Sequence, residues 1–480
     1  MLLIYILVIL LLGVGFLLII PDNQKLILKQ VSLGCTSVVF VISLLLWVGF
    51  DQSTSKFQFV VDGLWLPVAN INVILGVDGI SLFFVILTTL IFPLCILSSW
   101  FSINVGVKSF LISFMLMEFV LILVFTSLDL VLFYIFFETV LIPMFLVIGV
   151  WGSRQRKVRA AYLFFLYTLF GSLLMLIAVI YIYHFSGTSN YEILSTIEFS
   201  EYSQRWLWLA FFASFAAKVP MLPFHIWLPE AHVEAPTAGS VILAGILLKL
   251  GSYGFLRFSW GLFPEASVYF TPFIFSLSLL GVVYTSLTAI RQTDLKRLVA
   301  YTSVAHMNLV VIGLFTGSIL GVEAALLQSL SHGFVSSALF LIIGVLYDRW
   351  HSRVVKYYSG LVHSMPVFII VFLFFTMANL GLPGTSSFVG EFLLLLSAFE
   401  ANSTACFFAA TSMVLGGAYS LWLFNRVAYG NAKLIGLDIS LREFVLFLPL
   451  ILGTLIMGIY PNVFLQPMHA AVSNIVCVNV

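Results

Sequence analysis

The sequence predicts an all-α polytopic membrane protein of about fourteen transmembrane helices, in which two matched helix breaks mark a five-helix repeat. Three observations carry this. Of 480 residues, 62% are hydrophobic and 9% charged, against about 25% charged in soluble domains, so a water-facing surface cannot be built. Apolar runs recur from end to end, each long enough to cross ~30 Å of hydrocarbon. They are uniformly apolar, without the alternation of a membrane barrel, so backbone groups in lipid must be satisfied within helices.

The runs are read in order as 1–20, 31–50, 80–100, 108–127, 129–151, 160–185, 206–229, 236–258, 269–290, 298–317, 319–346, 366–399, 404–425 and 443–465. The first is apolar throughout and lacks a charged leader, so it is expected to be a span and not a signal peptide. A polar stretch, 51–79, joins the second and third. No connection is long enough for a soluble catalytic domain, so any chemistry belongs within the membrane. Basic residues support the count. Sixteen of the 21 Lys and Arg fall in connections after odd-numbered runs, among them Lys25, Arg154, Lys296, Arg353 and Arg442. Only Lys56, Arg205 and Arg257 follow even-numbered ones. The positive-inside rule then puts the odd connections in the matrix or cytoplasm and both termini on the opposite side.

The seventh run holds Pro220, Pro223 and Pro229 in KVPMLPFHIWLPEAH; the twelfth holds Gly381, Pro383 and Gly384 in ANLGLPGTSSFVGEF. Proline removes a backbone donor and clashes with the preceding turn, so each run is expected to form two half-helices about an unwound bend. Breaks five runs apart divide the chain into residues 1–107 (helices 1–3), 108–258 (first repeat, helices 4–8), 259–430 (second, inverted repeat, helices 9–13) and 431–480 (helix 14). Paired broken helices are the architecture of ion transporters, and the breaks point at the site.

Charged side chains at bilayer depth cost about 2.5–3.5 kcal/mol, so they require partners or water. Glu138 lies in the fifth run, Lys218 in the seventh, Lys249 in the eighth and Glu391 in the twelfth; His306 and His332 add titratable groups in the tenth and eleventh. A lysine removed from water tends to give up its proton, and a carboxylate brought near makes it keep one. Glu138 and Lys218 are therefore expected to pair as a switch, with Lys249 as next acceptor, the histidines and bound water as bridges, and Glu391 as terminal donor or acceptor. Histidine suits a relay because its ordinary pKa, about 6.5, lies near neutrality. Plainer readings remain open beside these: a static Glu138–Lys218 ion pair, a snorkelling Lys249, histidines that only bond a neighbouring helix. Glu118 is either a further buried charge or an interfacial one. His225 and His232 either orient the bend or line an entry, and Asp129 and Asp294 read as helix caps.

Net charge +1, with no basic tract, argues against nucleic acid as a partner. Cys35, Cys95, Cys406 and Cys477 are far apart, without metal-binding spacing, and read as inert. No GxGxxG segment opens a strand–helix unit.

The stretch AAKVPMLPFHIWLPEAHVEAPTAGSVILAGILLKLGSYGFLRF resembles the signature of the proton-conducting antiporter-like subunits of complex I and their Mrp-type relatives. RQTDLKRLVAYTSVAHMNLV, QSLSHGFVSSALFLIIGVLYDR and NLGLPGTSSFVGEF resemble its second-repeat counterparts, and the likeness runs from about 110 to 430. The resemblance implies fourteen helices in two inverted five-helix repeats, with proton transfer through Glu138, Lys218, Lys249 and Glu391. Glutamate at position 391, where two paralogues carry lysine, resembles the subunit 4 type, as does the ending FLQPMHAAVSNI. The short stretch after the last run is unlike the largest paralogue, which carries a long lateral helix. On this likeness the chain holds no cofactor, and NADH, FMN, iron–sulfur clusters and ubiquinone sit in other subunits. Its implied partners are the other membrane-arm subunits, including antiporter-like paralogues, phospholipid such as cardiolipin, protons and internal water. Its implied place is the mitochondrial inner membrane, or a bacterial plasma membrane. An Mrp-type antiporter subunit and a plastid NDH subunit are the alternatives; Glu391 in place of lysine counts against the first.

Overall fold

The computed structural model describes residues 1–434 and 436–479, with the side chains of 68 and 477–479 excepted. Helix dominates. Among the described residues, twelve helices are long and apolar enough to cross a membrane: Leu2–Ile19, Lys25–Val48, Gly79–Ser98, Val107–Thr126, Leu130–Trp151, Lys157–Ser186, Thr237–Trp260, Pro264–Ile290, Leu295–Leu314, Ile319–Trp350, Ser403–Ala428 and Leu441–Ile459. The seventh run is instead Glu201–Lys218 followed by Trp227–Glu234, and the twelfth is Pro366–Leu380 followed by Ser386–Ala401. Both expected breaks are present. The core centres on Thr237–Trp260 and Ile319–Trp350, whose apolar windows are buried throughout.

Each break is satisfied locally. At the first, the carbonyls of Phe215 and Ala216 accept the amides of Val219 and Met221, and Trp227 Nε1 donates to Ala217 O at 2.9 Å. A side chain of the second half-helix thus takes up a carbonyl of the first. Pro229, read as part of the bend, lies inside the half-helix Trp227–Glu234, where proline in a first turn has no amide to lose. At the second break Gly381 adopts φ +81°. Its amide bonds Ala378 O and that of Leu382 bonds Met377 O, a Schellman closure that only a left-handed residue permits.

Several features depart from expectation. The stretch 51–79 folds as an antiparallel hairpin, Gln58–Leu66 with Ile71–Val77, turned through Asn70 in the left-handed region, so the fold is not purely helical. The fifth run bends at Val140, between Leu130–Thr139 and Leu141–Trp151. Pro143 cannot donate to Thr139 O, which loosens the turn just after Glu138. The eighth run winds as π-helix over Leu243–Leu247 and Phe255–Trp260, on either side of Lys249. The stretch after the last run carries a further helix, Asn462–Asn479.

Three basic residues assigned to connections are buried inside helices, the first being Lys29 in Lys25–Val48, whose Nζ donates to Trp100 O and Ile103 O. Arg257 lies in the eighth-run helix and pairs with Asp78 at 2.6 Å. Lys296 opens the helix Leu295–Leu314 and is 2% exposed. Asp129 caps its helix through the amides of Val131 and Leu132, and Asp294 caps its own through Lys296 N.

Candidate proton-relay site

Four of the six expected site residues meet. Lys249, fully buried, shares a hydrogen bond of 2.8 Å with His332 Nδ1 and donates to Ala244 O at 2.5 Å. That carbonyl lies five residues back, in the first π winding; the wider turn leaves carbonyls open to side chains. The His332 and His306 rings lie 5.9 Å apart between centroids. His306 Nδ1 sits 3.1 Å from Glu391 Oε1. A line of titratable groups therefore runs Lys249–His332–His306–Glu391 across four helices.

Backbone packing sets this line. Gly245 and Gly333 face each other; a Cβ on Gly333 would lie 2.7 Å from Leu87 Cδ2 and 3.2 Å from Gly245 O. Two glycines at the crossing let the Lys249 and His332 helices approach. The Glu391 helix is pinned beside them by Ser331, whose hydroxyl bonds Ser386 and Ser387 at 2.7 and 2.9 Å. Glu391 Oε2 faces the second break, 2.9 Å from where a Gly381 Cβ would stand.

The other two residues do not close the expected ion pair. Glu138 and Lys218 feel each other's charge, yet no contact within 4 Å joins them among the described ion pairs. Lys218 Nζ instead lies 3.4 Å from Phe137 O and 4.2 Å from the centre of the Phe137 ring. One Glu138 oxygen is buried and unpartnered. The pair is open in this conformation, with a cation–π contact standing in for the carboxylate.

Glu118 is fully buried with both oxygens unpartnered, so the interfacial alternative is set aside. It lies within electrostatic reach of Cys35 and Cys95; the side chain of Cys477 is outside the described residues. His225 stands apart, its ring 6.0 Å from that of Tyr284. His232 is buried, stacked on Phe340 at 4.6 Å, and both its ring nitrogens lack partners. Gln328 was not singled out in the sequence. Its amide donates to Glu391 Oε1 at 3.1 Å, the oxygen that also faces His306. It lies one helical turn before His332 in QSLSHGF, and that i, i+4 polar spacing was the available signal.

Known proteins match this architecture. The family model described as NADH:quinone oxidoreductase/Mrp antiporter, transmembrane, matches residues 127–416. NADH-ubiquinone oxidoreductase chain 4 of Marchantia polymorpha is 58% identical over 470 residues, covering 97% of this chain and 95% of that protein. The protein of the same description from Arabidopsis thaliana is 59% identical over 469 residues, with the same coverage. A chain of respiratory complex I from Thermus thermophilus, solved with bound NADH, superposes with a TM-score of 0.90 at 30% identity. The superposition covers 99% of this chain and 100% of that one. On sequence, relatives and fold alike, the chain belongs to the NADH:quinone oxidoreductase/Mrp antiporter transmembrane family.

Proposed function

We propose that Lys249, His332, His306 and Glu391 carry protons between the two broken helices, with Glu138 and Lys218 as the switch that loads them. The chain is a proton-pumping membrane-arm subunit of respiratory complex I, an H+-translocating oxidoreductase, and its partners are other subunits of that complex. The observation that carries the reading is the buried line from Lys249 to Glu391, joined at 2.8 Å at one end and 3.1 Å at the other. Each member holds or releases one proton. Lys249 passes a proton from Nζ to His332 Nδ1, and His332 releases one from its other ring nitrogen. A bound water hands that proton to His306, whose Nε2 is unpartnered, and His306 Nδ1 delivers to Glu391. Ordered water of this kind bonds nearly as well as a direct partner.

The open Glu138–Lys218 pair supports a switch. Closing it would hold the lysine charged, and opening it onto Phe137 would release the proton toward Lys249. Matched breaks five runs apart support two inverted repeats, 108–258 and 259–430, flanked by 1–107 and 431–480. The basic connections after odd-numbered runs support both termini on the outer side. The description of the plant relatives, NADH-ubiquinone oxidoreductase, supports the mitochondrial inner membrane as the place; there the chain would neighbour antiporter-like paralogues and phospholipid such as cardiolipin, with NADH, FMN, iron–sulfur clusters and ubiquinone held by other subunits.

The test is proton pumping coupled to NADH oxidation in assembled complex carrying Lys218→Ala or Glu391→Ala. Both are expected to lose pumping while the complex remains assembled. Normal proton-to-electron stoichiometry in either variant would overturn the roles of these two residues.

A further inference from the structure

The second broken helix is held at its far end by a group from elsewhere in the chain. Its first half, Pro366–Leu380, opens on Met365, whose side chain makes no capping bond. The amides of Val367 and Phe368 donate instead to the two carboxylate oxygens of Asp438, at 2.9 and 3.0 Å. These are the second and third positions of the helix, the ones a capping side chain serves. An anionic acceptor there also meets the positive end of the helix dipole. Asp438 lies 71 residues beyond Val367, in the stretch between Ser403–Ala428 and Leu441–Ile459.

Asp438 is fixed in turn by Arg349, in the last turn of the Ile319–Trp350 helix. A guanidinium presents five N–H donors in a rigid fork, and Arg349 uses them all. Nε donates to Leu437 O, Nη1 to Val345 O and Nη2 to Asp438 O, each at 3.0 Å. Nη1 and Nη2 also grip the two oxygens of Glu443, at 2.9 and 2.8 Å. Glu443 completes a capping box with Ser440 at the head of Leu441–Ile459. One side chain thus joins three helix ends, and with Asp438 it ties the half-helix to the helix of Gln328 and His332. The half-helix is 15 residues long. A tilt of ~5° at its head therefore carries the Gly381 end through ~2 Å. The bend transmits the shift, because Leu382 N bonds Met377 O at 3.1 Å and Thr385 N bonds Leu382 O at 3.0 Å. Gly381 backs the Glu391 carboxylate, and the 3.1 Å bond from Gln328 to that carboxylate does not survive a shift of this size.

We infer that Arg349 and Asp438 are positioning residues for proton transfer at Glu391. Their clamp sets the angle of the first half-helix against the His332 helix, so that the Gly381 end, the Gln328 amide and His306 meet one carboxylate together. This rests on the proton-conducting reading of Glu391. Neither Arg349 nor Asp438 touches the moving proton; both act at the opposite end of the two helices whose inner ends meet the relay.

The experiment uses assembled complex in sealed vesicles, scored first for assembly and for electron transfer from NADH to an artificial acceptor. Pumped protons per electron are then measured for Asp438→Ala, Asp438→Asn, Arg349→Lys, Asp129→Ala and Glu391→Ala. Asp129 caps its own helix through Val131 N and Leu132 N, so its loss removes a like cap without freeing one helix from another. The assignment predicts that Asp438→Ala loses most of the protons that Glu391→Ala loses, while Asp129→Ala pumps normally. Asp438→Asn, which keeps a side-chain oxygen for the cap, should regain most of them. Arg349→Lys keeps the charge and gives up the fork; it should fall with Asp438→Ala, and it carries the test if Asp438→Ala does not assemble. Normal pumping by assembled Asp438→Ala or Arg349→Lys, beside a defective Glu391→Ala, overturns the clamp alone. An equal loss in Asp129→Ala also overturns it, since lost helix stability then accounts for the effect. Normal pumping by Glu391→Ala would instead remove the role of Glu391 itself.

Discussion

Gly251→Ala tests whether close helix approach, and not only titratable side chains, sets the relay. A Cβ built on Gly251 would lie 2.9 Å from Phe215 O, 3.0 Å from Val219 N and 2.5 Å from Val219 Cγ2. Two of these are backbone atoms in the turn that ends the Lys218 half-helix, where Val219 N bonds Phe215 O at 2.8 Å. They cannot rotate away. Reaching ordinary contact requires the helices to part by ~0.5 Å, and overpacking of this kind costs about 1–3 kcal/mol. Lys218 Nζ is 3.4 Å from Phe137 O, already at the edge of hydrogen bonding; a further ~0.5 Å takes it out of range. Coupled turnover and pumped protons per electron should both fall in assembled complex, and the complex should dissociate at lower temperature in mild detergent. Gly251→Val should not assemble. If Gly251→Ala assembles, pumps and resists heat like the unmodified complex, this glycine does not position Lys218.

Gln328→Leu removes one donor to the Glu391 carboxylate, an interaction worth about 1.5–3 kcal/mol when the acceptor is charged. Slower coupled turnover with intact assembly is expected, partly restored in Gln328→Asn, and unchanged turnover would deny Gln328 a positioning role. Arg257→Leu strands Asp78 without its 2.6 Å partner. Losing one member of a buried pair costs about 3–5 kcal/mol. The assembled amount should drop sharply and recover in part when Asp78→Asn is added, as judged by native gel. Asp129→Ala removes a helix cap worth about 1 kcal/mol. It should lower thermal stability slightly and leave pumped protons per electron unchanged, which measuring both in one preparation would check.

What the sequence made legible was whatever interrupts a monotonous apolar text. Lys249 stands out because nothing else in LAGILLKLGSYG is charged, and the prolines of KVPMLPF and the glycines of NLGLPG announce breaks by backbone chemistry alone. Pairings between distant segments were not legible. Arg257 sits near the end of its run and reads as a connection, and only the fold reveals Asp78 beside it, 179 residues earlier. Lys296 fails for the same reason: a few residues after the end of a span it looks like a surface lysine until the neighbouring half-helix covers it. The hairpin was hidden because its strands lie within a stretch more polar than its flanks. The π windings around Lys249 have no composition of their own, since they arise from how the helix packs. The Glu138–Lys218 contact was anticipated from charge alone, and the Phe137 ring, adjacent to Glu138 in sequence, takes the place of its carboxylate.

The central claim is that protons pass through the middle of the chain by way of His332. Its most direct test is the number of protons pumped per electron in assembled complex carrying His332→Leu, which leaves both Lys249 and Glu391 in place while removing the group between them. Pumping through this subunit should be lost, with electron transfer from NADH to an artificial acceptor intact. An unchanged proton-to-electron ratio in that variant would contradict the claim.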